Sequence, residues 1–230
     1  MNQIVYAVCC TSRSGSTYLC QLLASTGRLG KPKEYLNDDL ASGRPHWSRE
    51  VDVPVDCPDT EYIEAIIRAY STDRVFGTKA LLERLRHYHA SLQPTHYLFL
   101  RRRDTLRQAI SLYRAQKSGR WGHYNPANPP PKDMPFDGAA IRRLQQQIEA
   151  VNGHWAEYFA GRQITPLPVW YEDICADPMG QVRRIAQHMG ISLDGIDRVS
   201  AAILTMRDEV TEDWVRRLEG KASKRETTSS

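Results

Sequence analysis

The chain lacks most features that commit a sequence to a special environment. Its five cysteines are odd in number and include no Cys-x-x-Cys pair, and Cys9–Cys10 lie in an apolar run that reads as a buried strand. A disulfide framework or zinc site is therefore not expected, and a reducing, cytoplasmic setting is. The longest apolar run is about seven residues, far too short to span a membrane. No basic-then-apolar leader opens the chain, so no targeting segment is expected. No internal repeat is visible. The net charge of +4 over 230 residues, with a pI near 8.8, suits an anionic ligand. Basic residues without interleaved aromatics give a nucleic-acid partner little support.

Also missing is the Gly-Lys-Ser/Thr of the nucleoside triphosphate loop. The stretch CTSRSGSTYL, residues 10–19, has Ser16 where that lysine would stand. What it does hold is Arg13, the hydroxyls of Ser14, Ser16 and Thr17, and a central Gly15. A glycine-centred turn that opens a helix presents free backbone N–H groups to an anion, and the helix dipole adds to this.

The rest of the chain alternates between strand and helix patterns. Strands are expected over Ile4–Cys10, Val75–Lys79, Tyr97–Leu100 and Leu167–Tyr171. Helices are expected over Ser16–Thr26, Thr60–Tyr70, Leu81–Ser91, from the cap Asp104 to about Lys117, from Asp137 to Phe159, and over Pro178–Met189. The proline-rich Asn125–Pro135 reads as loop, and 118–137 as a candidate lid. This pattern predicts one α/β domain over 1–220, a sandwich with a mostly parallel sheet flanked by helices, and a flexible tail over 221–230. Ligands of such sheets bind outside the carboxyl ends of the strands. Three of those ends are cationic: Arg13, Lys79 and the run Arg101–Arg103. On the helix after Asp104, Arg107, Ser111 and Arg114 share one face and could serve a second phosphate.

These residues resemble the sulfotransferases that use 3'-phosphoadenosine 5'-phosphosulfate (PAPS). RSGSTY, Arg13–Tyr18, is similar to that family's phosphosulfate loop. Arg103 and Ser111 have the spacing of its 3'-phosphate pair. YEDICADP, Tyr171–Pro178, is similar to a segment whose tyrosine meets the adenine. Arg207, followed by Asp213–Trp214, has the spacing of a C-terminal 3'-phosphate contact, although Asp208–Glu209 replace the usual Lys-Gly. The Lys-x-His of cytosolic members is broken here, since Lys79 is followed by Leu81 instead of a histidine. GRLGKPKEYLN, Gly27–Asn37, resembles instead the segment of the bacterial trehalose 2-sulfotransferase group in which a glutamate is the base.

The resemblance implies a P-loop-like fold, PAPS as donor, and Glu34 as general base. It also implies charge stabilisation by Arg13 and Lys79, and a donor site of Arg13, Ser14, Gly15, Ser16, Thr17, Tyr18, Arg103, Ser111, Tyr171 and Arg207. The acceptor, a sugar or other hydroxylated small molecule, would lie along Lys33, Glu34, Tyr35, Asn37, His46 and Trp47. A homodimer is implied by analogy. His46 has no ligand partners at useful spacing, so no metal is expected. Two other classes stay open on the residues alone: a P-loop-like small-molecule kinase and a non-catalytic nucleotide-binding scaffold.

Overall fold

The computed structural model describes residues 3–38, 43–121, 134–202 and 209–226. The chain divides into two compact units, Met1–Arg103 with Val151–Ala201, and Asp104–Ala150 with Ala202–Ser230.

The first unit is built on a parallel sheet. Its strands are β1 (Ile4–Cys10), β2 (Val75–Ala80), β3 (His96–Arg101) and β4 (Leu167–Trp170), in the order β2-β1-β3-β4. Both faces are covered, so the strands read as apolar runs with little polar alternation. Val5, Ala7, Cys9, Phe76, Tyr97 and Phe99 point into one cluster. Tyr6, Val8, Cys10, Leu98, Leu100 and Val169 point into the other. Gly77 is needed in β2 because a β-carbon there would stand 2.2 Å from the Tyr6 ring. The Tyr6 hydroxyl donates to the Leu29 carbonyl at 2.7 Å, so this buried phenol is satisfied.

Helices α1 (Ser16–Ser25), α2 (Arg44–Glu50), α3 (Asp59–Tyr70), α4 (Leu82–Leu92), α7 (Tyr171–Ala176) and α8 (Pro178–His188), with the last part of α6 (Gly138–Gly161), complete this unit. One local reading changes and one unexpected helix appears. The strand expected to include Tyr171 stops at Trp170, and Tyr171 begins α7. The polar stretch after Tyr35 contains α2, with Pro45 in its first turn and Trp47 buried.

The second unit contains α5 (Thr105–Ser118), the first part of α6 (Gly138–Gly161) and α9 (Glu209–Glu226). Asp104 caps α5 by accepting from the Arg107 amide at 2.8 Å, and Asp137 caps α6 by accepting from the Ala140 amide at 2.9 Å. Leu106, Ile110, Tyr113, Ile141, Trp214 and Leu218 form its core. Helix α9 continues to Glu226, into the stretch read as a tail. Among the described residues, no helix is long and apolar enough to cross a membrane.

Candidate active site

The carboxyl end of β1 delivers the chain directly into the loop Thr11–Gly15. Trp155 fixes this end by donating its indole N–H to the Cys10 carbonyl at 3.2 Å. Arg13 and Gly15 both have positive φ, 62° and 90°. At Gly15 a side chain has no room, since its β-carbon would stand 2.1 Å from Cδ2 of Tyr171. Gly15 caps α1 without a side-chain hydrogen bond, and the first turn of α1 holds no acidic residue. Apart from its contact with the Cys10 thiol, the fully buried Ser14 Oγ has no hydrogen-bond partner among the described residues. A buried hydroxyl left without a partner costs roughly 1–3 kcal/mol. An orphaned hydroxyl, a glycine against which nothing larger fits and an uncapped helix start are what an anionic group would use.

At the end of β2, Lys79 is 12 % exposed. Its ammonium sits 2.5 Å from Glu34 Oε1 and donates to Thr17 Oγ1 at 3.1 Å. Burial pulls its pKa down, but the neighbouring Cys20, Cys10 and Glu34 together hold it above the usual lysine value. Burial also raises both thiols, that of Cys20 to about 12. They are neutral at pH 7, so the carboxylate is what supports the ammonium there.

Glu34 itself is positioned through the backbone. The Lys33 carbonyl accepts from the Lys79 amide at 2.9 Å and from Thr78 Oγ1 at 3.2 Å, extending the parallel pairing beyond β2. The next residue, Glu34, therefore emerges beside Lys79 with its side chain 49 % exposed.

The expected acceptor wall divides. Tyr35, expected on the acceptor side, is fully buried. Its ring packs on Trp47, Tyr70 and Phe76, and its hydroxyl donates to the Lys31 carbonyl at 2.8 Å. Trp47 is likewise a core residue, buried among Tyr35, Tyr70 and His46. Lys33 is exposed, with its ammonium 5.2 Å from the Trp47 ring centre. Asn37 and His46 are half-buried. The Asn37 amide lies 3.5 Å from Glu34 Oε2.

At the end of β3 the arginines part ways. Arg103 makes a two-pronged pair with Asp173, at 2.6 and 3.0 Å, and its amide donates to Glu172. Arg102 stacks 4.6 Å from the centre of the Tyr171 ring. Burial, and then the charge of Arg102, lower the pKa of Arg13. Motif spacing overlooked Arg102, although the run Arg101–Arg103 contained it.

In the second unit, Ser111 lies on α5. The basic face expected there is already engaged. Arg107 pairs with Asp104 at 2.7 Å and with Glu212 at 2.6 Å, and the buried Arg114 donates to Thr211 at 2.8 Å. Arg207 lies outside the described residues, as does most of the candidate lid, at 122–133. The described residues contain no group of three or more His, Cys, Asp or Glu able to hold a metal.

The family model of the Stf0 sulphotransferases matches residues 5–85 and 80–221. The chain belongs to the Stf0 sulphotransferase family. It is thus an enzyme that transfers sulfuryl groups, on a P-loop-like α/β fold. Among solved structures, it is similar to a sulfotransferase from Alicyclobacillus acidocaldarius, at 12 % identity and a TM-score of 0.50, covering 97 % of this chain and 94 % of that one. It is also similar to the sulfotransferase domain of the Synechococcus PCC 7002 olefin synthase, at 14 % identity, with coverage of 96 % and 94 % and a TM-score of 0.45. A search of the curated proteins found no match.

Proposed function

We propose that this sulfotransferase moves the sulfuryl group of PAPS to a hydroxyl of a carbohydrate or glycosylated small molecule, with Glu34 as general base. The observation that carries this reading is the position of Lys79, whose ammonium touches both the Glu34 carboxylate and the Thr17 hydroxyl of the loop.

The donor supplies an activated sulfuryl group on the bridging oxygen of its 5'-phosphate. The amides at the start of α1 and the hydroxyls of Ser14, Ser16 and Thr17 would bind the phosphosulfate, and Arg13 and Lys79 would balance charge as it develops. Tyr171 and Tyr18 would hold the adenine. Arg103, Ser111 and Arg207 are assigned to the 3'-phosphate by resemblance, and for Arg103 this requires release from Asp173. Glu34 takes the proton of the acceptor hydroxyl as that oxygen bonds to sulfur. The bond between sulfur and the bridging oxygen breaks, and adenosine 3',5'-bisphosphate leaves. Positioning and charge stabilisation dominate such a transfer, as in phosphoryl transfer.

Lys33, Asn37 and His46 are the acceptor-side candidates that keep accessible surface. Trehalose is the first acceptor to try, and a homodimer the first assembly, both by resemblance.

Calorimetric titration with adenosine 3',5'-bisphosphate, ADP and Mg-ATP tests the donor. Preference for the bisphosphate, followed by sulfation of trehalose or another glycoside from PAPS in EDTA, is expected. Preference for Mg-ATP would overturn the donor assignment, and turnover unchanged in Glu34→Gln would overturn the base.

A further inference from the structure

Arg102 differs from its neighbours Arg101 and Arg103 in what its guanidinium faces, although Arg101 Nε is also buried without a hydrogen bond among the described residues. Arg101 is spread over Trp170 and Phe99, at 4.2 and 4.6 Å. Arg103 is bound to Asp173 through both guanidinium nitrogens. The side chain of Arg102 is only 16 % exposed, yet the nearest carboxylate to its Nε, that of Glu172, stands 4.0 Å away. That carboxylate instead accepts from the Arg103 amide, and Arg102 Nε is buried without a hydrogen bond among the described residues. A partly buried guanidinium usually has its carboxylate or carbonyl in contact.

Its orientation is set by Tyr171. The guanidinium lies 4.6 Å from the ring centre, a cation–π distance. The same ring is pressed against Gly15, at the centre of the loop. One tyrosine therefore touches both the loop glycine and Arg102, and brings the Arg102 charge close enough to act on Arg13. Two neighbouring cations with part of their surface removed from water repel each other, and an anion placed against both would relieve that repulsion.

We propose that Arg102 is an anion-binding residue of the donor site, acting with Arg13 and the loop amides on the 5'-phosphate end of the nucleotide. This rests on the donor reading above and adds a residue that motif spacing does not assign. Tyr171 then serves both as a surface for the base and as the support that aims Arg102.

The test titrates wild type, Arg102→Ala and Arg102→Lys with adenosine 3',5'-bisphosphate, adenosine 5'-phosphate and adenosine 3'-phosphate, after circular dichroism has checked the fold. A lost charge-assisted contact weakens binding roughly 10–100-fold. Arg102→Ala should show that loss with the bisphosphate and the 5'-phosphate, and less than a threefold change with the 3'-phosphate. Arg102→Lys keeps the charge but loses the planar fork, so a loss of about threefold to tenfold is expected, and this variant decides the matter if the alanine variant fails to fold. Unchanged affinity for the bisphosphate, or a loss seen only with ligands that carry the 3'-phosphate, would overturn the assignment. Failure of the wild type to bind the bisphosphate would instead sink the donor reading itself.

Discussion

Two groups of basic residues, one on α5 and one just past the carboxyl ends of β1 and β3, differ in what surrounds them. On α5, Arg107 has Asp104 and Glu212, and Arg114 reaches Thr211. At the carboxyl end of the sheet, the charge of Arg102 acts on Arg13, and among the described residues the buried Ser14 hydroxyl makes no hydrogen bond of ordinary geometry. Counting arginines in the sequence finds both groups and ranks them equally. Surroundings separate them: the first group is spent on holding two helices together, and the second sets two like charges beside the buried hydroxyl of the loop.

That contrast can be broken experimentally. Glu34→Gln should lower turnover by about 10²–10⁴-fold, the usual worth of a general base, while bisphosphate affinity in calorimetry stays within about threefold. Gly15→Ala combines a φ of 90° with a collision against Tyr171. It should weaken bisphosphate binding by at least about tenfold and cost about 1–3 kcal/mol in urea unfolding. Near-normal binding in this variant would mean that the loop does not hold the donor. Arg107→Ala should cost only about 0.5–1 kcal/mol, because both its ion pairs are partly solvated, and a melt in low and high salt checks this. The smallest effect concerns pH. The Lys79 pKa is raised, so its folded-state contribution is complete below the ordinary lysine value near 10.4 and is lost only as pH climbs through the higher folded value. A pH–rate profile should therefore show no alkaline loss from Lys79 between about pH 7 and 9.5.

Much of this was legible in the sequence. The four strands, the helix caps Asp104 and Asp137, and the loop at the end of β1 follow from apolar runs, cap chemistry and one glycine. The region around Tyr35 and Trp47 did not. Polar residues dilute its apolar pattern, so α2 reads as loop, and burial of Tyr35 depends on Tyr70 and Phe76, which are distant in the chain. Choosing between Arg102 and Arg103 was also out of reach. Past a strand end, a one-residue step can turn a side chain to a different side, and only the positions of Tyr171 and Asp173 reveal which arginine faces which partner.

The pairing of the Lys33 carbonyl with the Lys79 amide has a consequence for how such an enzyme diversifies. It fastens the main chain one residue before Glu34, whatever side chains come later. Exchanging the surface residues after Glu34 for those of a relative would then change what lies beside Lys79 while the carboxylate proposed as the base stayed in place.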